Sequence, residues 1–147
     1  MLSGSIAQEP QGAEPGAWVR VLADSGEVLG FGHYSPRSSI RVRMLAFGKE
    51  DPGEALLEAR LEAAVARRRD HPLMSGTDAL RLVNAEGDGL PGLVVDRFAD
   101  VVVIKFLTAG MHARAGRIAE RLERLTGARH GLRRLDSSSA RREGIPA

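Results

Sequence analysis

The sequence predicts an α+β chain in two parts: a β-rich first third, then a longer section in which strands alternate with two helices. Three observations predict it. Apolar and polar residues alternate with period two over Trp18–Leu22, Val28–Tyr34 and Ser39–Leu45, as in half-buried strands. Residues 51–69 and 111–125 instead repeat their apolar positions every three to four residues, the pattern of a helix packed on one face. Between them lie three short β-type runs separated by glycine, proline and acidic residues.

Residues 1–16 are rich in small and turn-forming types and read as loop, with at most a short strand near Ile6. Asp24-Ser25-Gly26 is a turn that folds Trp18–Leu22 onto Val28–Tyr34 as a hairpin. Ser35-Pro36 ends the second strand. In the third, Ile40, Val42 and Met44 share one face and Arg41 and Arg43 the other. Asp51-Pro52 predicts a helix start with proline at the first helical position. Leu57, Leu61, Ala64 and Val65 form its apolar stripe, and Arg67-Arg68-Arg69 close it where positive charge suits the dipole. The strands Leu80–Asn84, Leu93–Arg97 and Val101–Leu107 make a meander, with Phe98-Ala99-Asp100 a tight turn. A second helix over Met111–Leu125 ends at Gly127, a helix-stopping glycine. His130–Leu135 reads as a last short strand, and residues from Ser137 onward as a linker or frayed tail.

The 147 residues are 43% hydrophobic, enough for a core, and contain no cysteine. Disulfides, thiolate metal sites and cysteine nucleophiles are therefore excluded. No stretch approaches the roughly 20 apolar residues of a membrane helix, and the first residues lack the charged start and apolar block of a secretion signal. The expectation is a cytoplasmic protein with no membrane partner. Net charge is only +2, but the base is nearly all arginine: Lys49 and Lys105 are the only lysines. From Met111 to Arg142 nine arginines stand against three acids. Such an excess points to an anionic partner, since arginine forks two hydrogen bonds onto a phosphate; an arginine-rich coding habit explains it equally.

The stretch RLVNAEGDGLPGLVVDRF, Arg81 to Phe98, invites three chemical readings. A phosphate loop needs a helix after its glycines, but Gly87, Gly89 and Gly92 precede a strand. A calcium loop matches at Asn84, Glu86, Asp88 and Gly89, yet its twelfth place is Val95 rather than glutamate. Glu86 and Asp88 as an acid–base pair have no positioned partner and read as solvated turn residues. The glycines and Pro91 are read as turns. No catalytic residue, cofactor site or metal site is assigned.

Two segments carry a more specific signal. HYSPRSSIRVRML, His33 to Leu45, and RLVNAEGDGLPGLVVDRF after the intervening helix resemble the N-terminal half of a family of class I, S-adenosylmethionine-dependent methyltransferases that modify cytosine C5 in 23S rRNA. The resemblance runs from about Ser3 to Pro146. It implies an incomplete PUA-like RNA-binding β-barrel over residues 1–48, a small α+β domain (a β-meander with helices) over 49–136, and a linker or tail over 137–147 toward a methyltransferase domain not in this sequence. It implies S-adenosylmethionine as cofactor of the full-length family and rRNA as partner; in a variant of this reading, a separate chain carrying the methyltransferase domain is a further partner. Two departures are expected: the barrel lacks its first strand, and the cofactor-binding and catalytic motifs are absent. Cytosine-C5 methylation uses a cysteine thiolate on C6, so a chain without cysteine is expected to be inactive by itself. The alternative is a gene fragment or truncated form of that enzyme without a role.

The leading RNA contacts are Arg37, Arg41 and Arg43, with Tyr34 as a stacking platform for an unpaired base. Their plain alternative is a solvated sheet face with a core tyrosine. Arg114, Arg117, Arg121 and Arg124 lie on one face of the second helix and, with Arg97, are weaker candidates. Glu120 and Glu123 partly neutralise that face, which favours a solvated surface.

Overall fold

The computed structural model describes residues 1–72 and 76–145. Strands β1 (Trp18–Leu22), β2 (Val28–Tyr34) and β3 (Val42–Phe47) form an antiparallel sheet in that order. It is an open sheet, not a closed barrel. One face buries Val21, Tyr34 and Val42, with Met1, Ile6, Val19 and Met44 packed against them, so the N-terminal segment serves as its cover. Leu2 bridges Ile40, and the Met1 ammonium donates to the Val42 carbonyl at 2.5 Å. On the other side Trp18 stacks on Phe31 with centroids 6.3 Å apart, and Trp18 and Leu45 join the main core.

The second unit is built on α1 (Ala55–Arg69), β4 (Ala79–Asn84), β5 (Leu93–Phe98), β6 (Val101–Phe106), α2 (Ala109–Ala113), α3 (Ala115–Thr126) and β7 (His130–Leu135). The sheet order is β4-β5-β6-β7. The meander holds for β4 to β6, but β7 runs parallel to β6. A parallel neighbour needs a crossover, and α2 and α3 supply it. Leu57 and Leu61 of α1 and Ile118 and Leu122 of α3 cover Val83, Val95, Ile104 and Phe106 of the sheet. Each such side chain contributes about 1.5–3 kcal/mol by leaving water.

Four expectations change. The first helix starts at Ala55, because Gly53 takes φ +58° and Asp51 instead accepts from the Gly53 amide at 2.9 Å and the Trp18 indole at 3.0 Å. The second helix breaks at Arg114, whose φ of −107° and ψ of 14° interrupt the turn. Asp88 is not a solvated turn residue: it is buried, accepting from Arg67, Arg68 and the Asn84 amide at 2.5, 2.7 and 2.6 Å. That gives the Arg67–Arg68 pair a specific partner besides the helix dipole. Finally, the expected tail is a helix, α4 (Ser137–Glu143), capped by Asp136, which accepts from the Ser139 amide at 2.8 Å. Ala140 and Ile145 pack on Ala109 and Leu135.

Candidate nucleic-acid interface

The β2–β3 hairpin places the leading candidates together, but in different environments. Tyr34 is only 4% exposed. Its hydroxyl donates to Glu9, which also accepts from Arg41 Nε at 2.8 Å. The two bonds hold the Glu9 carboxyl below its usual pKa, Tyr34 first and Arg41 second, and the same bond raises the Tyr34 phenol. A ring so enclosed offers no free face for a base, and Tyr34 acts as a core residue. Arg41 is half-exposed, and its pair with Glu9 lies at the surface. Arg43 has a different partner and donates to Glu143 Oε1 at 2.9 Å. Arg37 is exposed with no ion-pair partner among the described residues, and its stem lies across Gly144.

The helical candidates resolve into an ion-pair ladder. Arg114 at the start of α3 and Arg117 and Arg121 within it meet Glu54 at the start of α1 and Glu58 and Glu62 within it, at 2.5, 2.6 and 2.9 Å. Acids four apart on one helix and bases three and four apart on its neighbour are in register when the two helices run side by side. Arg114 is the anchor: it also donates to the Gly16 and Gly110 carbonyls at 2.8 and 3.0 Å. Arg124 lies one turn further on with no carboxylate partner among the described residues. Arg97 donates to the Ala99 carbonyl at 2.8 Å and so braces the β5–β6 turn, where Ala99 has φ +52°.

Sequence reasoning passed over the face of the second sheet that no helix covers among the described residues. Pairing across the strands aligns Phe98 with Val101 and His130, Asp96 with Val103 and Leu132, and Val94 with Lys105 and Arg134. Arg81 adds to the middle row, pairing with Asp96 at 2.8 Å. The alternation of His130, Leu132 and Arg134 was a usable signal; the parallel placement of β7 beside β6 was not. Among the described residues no group of three His, Asp or Glu side chains is placed to hold a metal ion, and no helix is long and apolar enough to cross a membrane.

Residues 1–47 match the family model of the PUA-like domain. Nearly the whole chain is similar to proteins named ribosomal RNA large subunit methyltransferase I. It is 34% identical to that of Alteromonas mediterranea over 99% of this chain and 37% of the relative. The Shewanella denitrificans protein is 36% identical over 90% of this chain and 34% of its own length. The Klebsiella pneumoniae protein is 32% identical over 99% and 36%. The chain therefore spans about a third of the length of the curated relatives it matches. Two solved structures share the fold at 15% identity: a Streptococcus mutans protein assigned as a SAM-dependent methyltransferase, with TM-score 0.69 over 83% of this chain and 33% of that one, and a methyltransferase-assigned protein complexed with SAH, with TM-score 0.72 over 88% and 34%.

Proposed function

We propose that this chain is the RNA-recognition part of a SAM-dependent 23S rRNA methyltransferase acting on cytosine C5, with catalysis carried by a methyltransferase domain outside this sequence. The observation that supports it most is the coincidence of a PUA-like match over residues 1–47 with similarity to large-subunit rRNA methyltransferases along almost the whole chain. Arg37 and Arg41 are the phosphate contacts. Arg41 can exchange the exposed Glu9 carboxylate for a phosphate oxygen without stranding a buried charge. Arg43 is a positioning residue, because its partner Glu143 is buried and cannot be released cheaply. The hollow of about 830 Å³ between residues 5–11 and β1 lies on the same side as Tyr34 and Val42 and borders Glu9.

The cofactor of the relatives does not fit the described residues. A methyltransferase of this class holds its cofactor after a strand, on a glycine turn entering a helix. The corresponding turn here, β6 into α2, is filled: a Cβ on Gly110 would lie 2.2 Å from His33, and one on Gly92 2.2 Å from the Thr108 methyl group. The Ala109 amide already donates to Glu143 at 3.2 Å. No step through S-adenosylmethionine is assigned to these residues.

The test is fluorescence anisotropy of the chain with structured 23S rRNA fragments and a scrambled RNA, scanned over salt. The expected result is preference for the rRNA fragment and a steep loss of affinity with salt from phosphate contacts. Arg37→Ala with Arg41→Ala is expected to weaken binding to all RNAs and to flatten the salt slope. A folded chain that binds both RNAs alike would refute a recognition role.

A further inference from the structure

We propose that the uncovered face of the β4–β7 sheet is a second RNA-contact surface, for an unpaired strand, with Phe98 as the stacking platform and Lys105 and Arg134 as the phosphate contacts. The inference rests on the RNA-binding reading above and extends it from the first sheet to the second unit.

The face has three rows set by strand register. At one end Phe98 lies opposite Val101, which lies beside His130. Phe98 is 53% exposed. In the middle Val103 and Leu132 form an apolar saddle, and Leu132 is 57% exposed. At the other end Lys105 and Arg134 are neighbours. Lys105 is four residues along β6 from the position opposite Phe98, so the ring and the cations are about 13 Å apart at strand rise. A single strand laid along β6 meets a ring, then an apolar surface, then two cations.

Charge decides between RNA and a protein partner. Asp96 is the one acid on these rows, and it already serves two cations, Arg81 at 2.8 Å and Lys105 at 3.4 Å. The longer contact is the one a phosphate can replace, since Arg81 keeps the carboxylate paired. Arg134 has no carboxylate within salt-bridge distance among the described residues. The face therefore carries a cationic surplus with an aromatic ring beside it, the combination that binds single strands through phosphates and base faces. A docked protein surface would need a broader apolar area, but the apolar strip from Phe98 to Leu132 is narrow and bordered by Arg81 and Asp96 on one side and Lys105 and Arg134 on the other.

The experiment uses the whole chain and two labelled probes, a 12-nucleotide unstructured RNA and a structured 23S rRNA fragment. Three variants are compared: Phe98→Leu, which keeps apolar cover and removes the stacking face; Lys105→Glu with Arg134→Glu; and Arg69→Glu as a control at the exposed end of α1. Thermal melts establish that each is folded. The expected result is a loss of roughly fivefold or more for Phe98→Leu on the unstructured RNA, a larger loss and a shallower salt slope for the double variant, and little change for Arg69→Glu. Wild-type affinity in both sheet variants, with binding still sensitive to Arg37→Ala and Arg41→Ala, would overturn this surface and leave the first-sheet reading intact. Unchanged RNA binding combined with lost association to an added methyltransferase domain would overturn it in favour of a protein contact. A wild-type chain that binds neither RNA would overturn both readings together.

Discussion

The Arg43 guanidinium meets the Glu143 carboxylate at 2.9 Å across 100 residues of chain. The contact closes the first sheet onto the last helix. Glu143 also accepts from Ser35 Oγ at 2.7 Å and the Ala109 amide at 3.2 Å, so one carboxylate ties together β3, the end of β2, the start of α2 and α4. Its side chain is 3% exposed. Burial pushes its pKa up, but the bonds from Ser35, the Ala109 amide, Ser38 and Arg43 outweigh that and leave it below the usual glutamate value.

Glu143→Ala is expected to destabilise the chain by about 3 kcal/mol, because Arg43, Ser35, Ser38 and the Ala109 amide lose a buried partner. Urea unfolding measures it. The variant is also expected to expose the α4 segment to protease before the rest unfolds. Protection equal to wild type would show that α4 is held by Ala140 and Ile145 without the carboxylate.

His33 gives a pH signature. It is buried, its Nε2 has no hydrogen-bond partner among the described residues, and its pKa falls from 6.5 to about 3, through burial first and the Arg114 charge second. Between those two values the unfolded chain binds the proton and the folded chain does not, so stability falls as pH falls below 6.5. The limiting slope is about 1.4 kcal/mol per pH unit. It is read most cleanly between about pH 6 and 4.5, above the usual carboxylate range. His33→Gln is expected to abolish the slope in that window. A wild-type stability flat from pH 7 to 4.5 would mean that His33 protonates in the folded chain.

The helix ladder is expected to divide unequally. Arg117→Ala removes an exposed pair with Glu58 and is expected to cost under about 1 kcal/mol. Arg114→Ala removes a largely buried side chain bonded to Glu54 and two backbone carbonyls, and is expected to cost about 2–3 kcal/mol. Thermal melts of the two variants side by side check the ranking. Equal losses would show that the ladder acts as one unit.

Gly110 is required by contact rather than by backbone freedom. A Cβ there would sit 2.2 Å from His33 Nδ1, and His33 is itself packed edge-on against Trp18 with centroids 5.6 Å apart. Gly110→Ala is therefore expected to destabilise by about 1–3 kcal/mol through overpacking, although alanine is the better helix former. A neutral or stabilising result in chemical denaturation would mean that His33 has room to move.

The sequence by itself determined the local elements. Period-two runs gave β1, β2 and part of β3, short β-type runs between turn residues gave β4, β5 and β6, and three-to-four spacing gave α1 and the body of α3, because side-chain direction repeats with backbone geometry. The wording of His33–Leu45 and Arg81–Phe98 carried the family resemblance, and the comparisons agree with it at the level of the PUA-like domain and large-subunit rRNA methyltransferases. Tertiary structure alone decided which arginines are free. Arg41 and Arg43 look equivalent in an alternating strand, yet one meets Glu9 at the surface and the other a buried Glu143 from the far end of the chain. The helical stripe read as balanced by Glu120 and Glu123, but its partners are Glu54, Glu58 and Glu62 on another helix. The segment after Ser137 read as a tail because its apolar contacts, to Ala109 and Leu135, are distant in sequence or belong to another element. Periodicity reports the face a residue occupies; the charge that neutralises it, and the surface left uncovered, depend on which elements the fold brings alongside.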